Sequence, residues 1–397
     1  MKMLSKVGLA QGYESSAHTL VVLLSVKKIV SVSKSDESAW AKASRIDVLH
    51  EDNSEESYFM KVWKHHIFLK TTLIGSQVSR GHHGLESLKG EFASTSEIYE
   101  ITPDFCPKPI AWGTFKTDED SHFYICKFYE FTDGLPDPKM FCAKLAKLHS
   151  SHTSPTGKFG FHVVTYNGDL PQYNTWSDSW EAFFEIGFNR VLKIREARAG
   201  PSAELDELLQ PFFENVIPRL LRPLETGGNT IQPSLVHGDL WCGNAAITDE
   251  DTKDGIVFDP SSFWGHNEYE LGNWRPERNK FTPKYFDAYH LHIPKSEPKE
   301  DYDDRNALYA MRFNLNAATL FPTQRVYLDM VIDEMRRLVQ KFPDGYTGDS
   351  PRADIIARRH ANAMAVNQNA EVQQHAGGVD EMSALPTRQG QPVSGEI

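Results

Sequence analysis

Cysteine is scarce in this chain. Its 397 residues hold four, Cys106, Cys126, Cys142 and Cys242, and no two form a C-x-x-C pair. No histidine cluster has zinc-ligand spacing. Together these absences exclude a disulfide framework or a zinc module and point to reduced thiols. Long apolar runs are missing too. Thr19 to Val26 is too short to span a bilayer, which takes ~20 residues. It also lies too deep, and without a cleavage context, to read as a secretory signal. The expected compartment is therefore the cytoplasm, with no membrane partner. Positive charge is in deficit, and a net charge of -12 argues against nucleic acid or an anionic membrane as the main partner. A local basic pocket for phosphates remains compatible with it. There are no internal repeats.

What is present is a change of character along the chain. Residues 1–35 show no clear pattern. From 36 to 130 strand signals dominate. Ser44 to Leu49 alternates polar and apolar side chains, an acidic turn runs from Glu51 to Glu56, and Ser57 to Trp63 alternates again, which predicts a hairpin. Leu85 to Glu100 has helical spacing, with Leu88, Phe92, Ile98 and Tyr99 on one side. Ile110–Phe115 and Phe123–Phe128 read as two further strands. From 131 to 345 helical patterns take over, at 140–149, 176–193, 204–221, 281–290, 303–319 and 323–342. Residues 346–397 are polar and lack periodicity, and they read as a disordered tail. The expected fold class is α+β, a strand-rich small lobe followed by a helix-rich large lobe.

The segment that carries chemistry is Leu235-Val-His-Gly-Asp-Leu-Trp-Cys-Gly-Asn244, followed by a short hairpin and Ile256-Val-Phe-Asp259. Asp, then Asn five residues later, then Asp after a hairpin is the spacing of a kinase catalytic loop. Phosphoryl transfer needs an acceptor hydroxyl held in line and cations on the phosphate oxygens. Asp239 is the expected catalytic base. Asn244 and Asp259, at the two ends of a hairpin, could share Mg²⁺ through hard oxygen ligands. A bare His-Gly-Asp could be no more than a tight turn, but the three spaced elements together argue against that.

Lys61 stands alone in the apolar strand Tyr58-Phe-Met-Lys-Val-Trp63 and needs a partner there. The expectation is that it holds ATP phosphates and pairs with Glu91, with Glu86 and Glu97 as competitors on the same helix. Alternatively it is an ordinary edge or snorkelling lysine. A glycine-rich phosphate loop should precede it and is missing. Ser35-Asp-Glu-Ser-Ala-Trp40 stands in that place, and its acidic pair faces phosphates unfavourably. Lys127, Phe128 and Tyr129 form the expected link between lobes, where backbone groups would meet adenine.

Together these residues resemble the fructosamine kinase (ketosamine-3-kinase) family, relatives of the aminoglycoside phosphotransferases and of the protein-kinase-like fold. The likeness covers roughly 38–345. It rests on Tyr58–Lys61, Gly90-Glu91, Cys106–Gly113, Leu145–His149, Gly157–Phe161, His237–Trp241, Phe258–Pro260, Phe263–Leu271 and the helix from Arg325 to Phe342. The resemblance implies ATP and Mg²⁺ as cofactors. It also implies a ketosamine acceptor, a sugar adduct on protein lysine or on a small amine, phosphorylated on its third hydroxyl. By the same resemblance His237 and Trp241 would line the acceptor site. The family usually carries Asp where Glu270 stands, a position that braces the catalytic loop. Two rivals share the motif: a phosphotransferase for another hydroxylated amine, and a pseudokinase acting as a binding module, which the poor glycine loop would suit.

Overall fold

The computed structural model describes residues 24, 26–37, 41–64, 82–115, 118–151, 154–249 and 251–348. The small lobe is an antiparallel sheet of five strands: β1 (Lys28–Glu37), β2 (Lys42–Leu49), β3 (Glu55–Lys64), β4 (Pro109–Phe115) and β5 (Asp118–Lys127), in spatial order β1-β2-β3-β5-β4. The predicted hairpin is β2–β3, in a register that sets Ala43 opposite Lys61. The side-chain period of two decides what each face does. Ile46, Val48, Tyr58, Met60, Val62, Phe123 and Ile125 pack on one face. On the other, Phe59, Trp63, Tyr124 and Cys126 meet Leu88 and Phe92 of helix α1 (His82–Ile101). Lys61 alternates with Tyr58, Met60 and Val62, so it falls on the helix-facing side.

One boundary shifts. β1 begins at Lys28, and Leu24 and Val26 are buried with the sheet core, all inside the segment left unassigned at 1–35. Its sequence, KIVSVSKSDE, hides the strand because a register shift between Ile29 and Ser31 breaks the alternation and leaves Val30 exposed. Of the glycine-poor stretch expected at the phosphates, residues 35–37 belong to the end of β1, and 38–40 lie outside the described residues, as does nearly all of 346–397.

The large lobe carries helices α2 (Pro138–His149), α3 (Trp180–Ala199), α4 (Ala203–Pro211), α5 (Ile217–Leu221), α6 (Asn267–Gly272), α7 (Pro283–His290), α8 (Tyr302–Leu320) and α9 (Arg325–Lys341). Caps set where they start. Asp137 accepts from the N–H groups of Lys139 and Met140, and Pro138 opens α2 where its missing N–H costs nothing. Ser179 caps α3, and the Glu225 carboxylate takes the N–H groups of Trp180 and Glu181. Six short strands pair as β6 (Tyr166–Asn167) with β7 (Leu170–Pro171), β8 (Ser234–Val236) with β11 (Phe263–Gly265), and β9 (Ala245–Ile247) with β10 (Gly255–Val257). One continuous core, centred on Phe141, Trp180, Trp264, Trp274 and Tyr309, joins these elements. Arg222–Glu181 and Arg305–Glu268 are ion pairs buried within the lobe.

Candidate active site

The loop that follows β8 is held by its backbone. Val236 pairs with Phe263, and Ser261 N–H donates to His237 O at 2.9 Å. Gly238 sits at φ +83°, and a Cβ there would meet Ser261 O at 2.2 Å. Only glycine tolerates both the left-handed backbone and that approach. The fully buried Glu270 carboxylate on α6 then accepts the N–H groups of His237 and Gly238, the latter at 3.1 Å. A glutamate therefore does the bracing for which the shorter Asp was expected.

His237 corrects an expectation. Its side chain has no accessible surface, so it cannot line an acceptor site. Its Nε2 lies 3.0 Å from Phe258 O, a carbonyl that can only accept, so Nε2 carries the proton. Nδ1 then accepts Asp239 N–H at 3.3 Å. Burial holds the ring below its ordinary pKa, which favours this neutral form. The residue ties the loop to the end of the β9–β10 hairpin and aims the backbone of Asp239.

Asp239 is half-buried at the cleft. Asn244 Nδ2 donates to its backbone O at 2.9 Å and reaches its Oδ2 at 3.4 Å. Phe258 N–H in turn donates to Asn244 O at 3.1 Å, which brings Asn244 beside Asp259 as the hairpin geometry predicts. Asp259 adopts φ +55°, an uncommon conformation for a residue with a Cβ. Its side chain keeps 47% exposure to the cleft. Lys61 Nζ crosses between the lobes to it, 2.8 Å from Asp259 Oδ1 and 3.0 Å from each Glu91 oxygen. The expected partner of Lys61 is thus Glu91. Of its competitors, Glu86 pairs with Lys89 at 3.6 Å. Gly90, next to Glu91, lets α1 press on the large lobe, where a Cβ would meet Val164 O at 2.5 Å.

Electrostatics separates the carboxylates. Burial pushes the Asp239 carboxyl up to about 8, helped by the negative charges of Glu270 and Asp259. Burial acts on Asp259 in the same sense, but adjacent Lys61 outweighs it and holds that carboxyl below its usual range. Burial opposes the Lys61 charge, and its two carboxylates more than offset this. Burial raises Glu91 while Lys61 pulls it back.

For a divalent cation, the donor set offers hard oxygens. Asn244 spends its amide N–H on Asp239 and keeps its carbonyl free of that bond, and Asp259 faces the cleft as a carboxylate. No group of three or more metal-ligating His, Cys, Asp or Glu occurs among the described residues. Two protein oxygens with the remainder from phosphates and water is the manner in which Mg²⁺ is held, so the residues fit it.

The other expected residues lie nearby. Trp241 is 41% exposed beside the loop. Phe128 lies under the Arg45 guanidinium, 4.6 Å from it, and Lys127 lies over the Tyr129 ring at 5.5 Å. The N–H groups of Lys127 and Phe128 are already taken by Lys108 O and Ser57 O at 2.9 and 3.1 Å. Among these three, Tyr129 is left with the N–H that can face a base. Sequence reasoning missed Asn167 on β6, which donates to Ser261 Oγ at 2.8 Å and to Gly238 O at 3.3 Å and hydrogen-bonds Asp239. Nothing in a two-residue strand 70 positions upstream signals that role.

A small lobe whose lysine–glutamate pair reaches across a cleft to a large-lobe Asp–Asn–Asp set is the plan of kinase-like phosphotransferases. Solved structures share the bilobal fold. A Thermobifida fusca structure assigned as a fructosamine-3-kinase superposes with a TM-score of 0.61 at 20% identity, covering 82% of this chain and 99% of that one. A thermostable mutant of the aminoglycoside phosphotransferase APH(4)-Ia, in ternary complex with AMP-PNP and hygromycin B, reaches 0.52 at 15% identity over 82% and 98%. At these identities the likeness concerns the fold.

Residues 26–341 match the model of the fructosamine kinase family, and the chain belongs to that family. A rice protein named protein-ribulosamine 3-kinase, chloroplastic, is 30% identical over 267 residues, 66% of this chain and 72% of the relative. A mouse ketosamine-3-kinase is 38% identical over 160 residues, 40% of this chain and 47% of the relative.

Proposed function

We propose that the chain transfers the γ-phosphoryl group of ATP to a sugar hydroxyl of a ketosamine, with Asp239 as the base. The carrying observation is the position of Asp239 at the cleft. Its backbone is held by Asn244, and the Lys61–Glu91–Asp259 set stands across from it. The family membership and the names of the relatives supply the acceptor class.

In this reading the ionised form of Asp239, whose share grows as pH rises toward 8, accepts a hydrogen bond from the acceptor hydroxyl and takes its proton. The new oxygen–phosphorus bond forms as the β–γ bridging bond breaks, and ADP leaves. Lys61 leaves Asp259 to hold the α and β phosphates and keeps Glu91 as its brace. Tyr129, with Lys127 and Phe128, forms the adenine side of the cleft, and exposed Trp241 lies against the acceptor. Mg²⁺, held by Asn244 and Asp259 with the ATP phosphates, would supply positive charge to the transferring group. The site in the cytoplasm is part of the proposal. The relatives in rice and Arabidopsis are named chloroplastic, and fractionation decides between the two.

The test is transfer of labelled γ-phosphate from Mg-ATP to ribulosamines, fructosamines and aminoglycosides. Product with the ribulosamine or fructosamine acceptors is expected. Product only with aminoglycosides, or Mg-ATP binding without any transfer, overturns the reading.

A further inference from the structure

The large lobe buries an arginine that no acid among the described residues neutralises. Arg312 on α8 is only 5% exposed, and Asn316 one turn later is 6% exposed. Arg312 Nη1 donates to Asn316 Oδ1, and that is its one hydrogen bond among the described residues. Arg222 and Arg305, similarly buried, each hold a glutamate. Arg312 has none, and the titratable group felt most strongly by its charge is the phenol of Tyr269. Its Nε and Nη2 donate to no described group, yet they are not among the polar atoms sealed from solvent. A guanidinium stays charged in proteins, and an unpaired buried charge is costly, so such a group stands waiting for an anion.

Its place in the lobe says which anion. Asn316 Nδ2 donates to Asn167 Oδ1 at 2.9 Å. Asn167 in turn bonds Gly238 O and the Asp239 carboxylate. Two side chains therefore separate Arg312 from the proposed base, and the Tyr269 phenol senses the charges of both. The lysine–glutamate pair that would meet ATP lies across the cleft from this network, so the anion awaited here is on the acceptor.

We propose that Arg312 is a specificity-determining residue that binds an anionic group, carboxylate or phosphate, on the acceptor beside the hydroxyl that Asp239 deprotonates. This rests on the phosphotransfer reading and narrows its substrate class. A ketosamine on a protein lysine carries no anion close to its sugar. The adduct of a free amino acid's α-amine carries a carboxylate two bonds from the linking nitrogen, and an adduct made from a sugar phosphate carries its anion on the sugar itself. The favoured acceptors are thus small anionic ketosamines. A bidentate arginine contact made to either group is geometrically selective as well as strong.

The experiment compares kcat/KM of the full chain for three acceptors: the ribulosamine of glycine, that of ethylamine, and the 5-phosphate of the latter. A charge-assisted contact gives at least about a tenfold preference for an anionic acceptor over the ethylamine adduct. Whichever anion is preferred identifies its source. Arg312→Gln is expected to bring that ratio close to one. Equal kcat/KM for all three acceptors in the unmodified protein overturns the proposal without needing any variant, as does an undiminished ratio in Arg312→Gln. Turnover of none of the three, with Mg-ATP still bound, is a different failure, since it removes the ketosamine reading itself.

Discussion

Replacing Asp239 by Asn removes the proposed base, and it also removes a charge that the fold holds at a cost. The carboxyl titrates near 3.8 in an unfolded chain and is pushed up to about 8 in the folded one, chiefly by burial and then by Glu270 and Asp259. Because the folded pKa is the higher, the group favours folding fully below pH 3.8 and loses that contribution as pH rises to about 8. At about 1.4 kcal/mol per unit the full gap is about 6 kcal/mol. Asp239 is half-buried at an open cleft, so solvent screening reduces this to about 1–3 kcal/mol. Asn keeps a similar shape and does not titrate, so lost or altered hydrogen bonds add an offset that does not vary with pH. The Asp239→Asn variant should therefore gain stability over the parent progressively between pH 5 and pH 8, while transfer falls about 10²–10⁴-fold. Denaturant unfolding of both proteins at several pH values, with ATP and Mg²⁺ absent, measures the slope. A difference that is flat or shrinks as pH rises would show that the surroundings do not penalise the ionised form of Asp239. Near-normal turnover would separately remove it as the base.

Lys61→Met leaves Glu91 and Asp259 facing each other without their cation. Burial already favours the neutral form of Glu91, so the variant should lose stability relative to the parent as pH rises from 5 to 8, together with most of its ATP affinity; titration with a fluorescent ATP analogue and unfolding at both pH values check this. Gly238→Ala forces a Cβ to within 2.2 Å of Ser261 O at φ +83°, and a loss of at least about 2 kcal/mol in denaturant unfolding is expected; a loss under about 0.5 kcal/mol would contradict the tight seat of the loop. Trp241→Ala alters an exposed ring, so thermal stability should hold while KM for the acceptor rises and KM for ATP does not; the reverse split would place Trp241 elsewhere.

Much of the site was legible because kinase chemistry is written in local spacing. His237 to Asn244 and then Asp259 are joined by one short hairpin, and hydrogen bonds from Asn244 to Asp239 and from Phe258 to Asn244 close it within a few residues. The β2–β3 hairpin and α1 were legible from periods of two and 3.6. β1 was not, since the register shift between Ile29 and Ser31 interrupts its alternation. The fate of His237 was also hidden. Motif position places it beside the base, but only the carbonyl of Phe258 and complete burial turn it inward.

Sequence alone determined the order of the catalytic elements, the lobe in which each resides and the need of Lys61 for an acid. Those follow from chain-local patterns and from the cost of a lone charge in an apolar strand. Tertiary structure alone decided which acid answers Lys61, because Glu91 and Asp259 are 30 and 198 positions away from it. It also decided which N–H groups Glu270 takes, and that Asn167 and Asn316 link Arg312 to Asp239. Packing joins residues by distance in space, and no spacing along the chain encodes that.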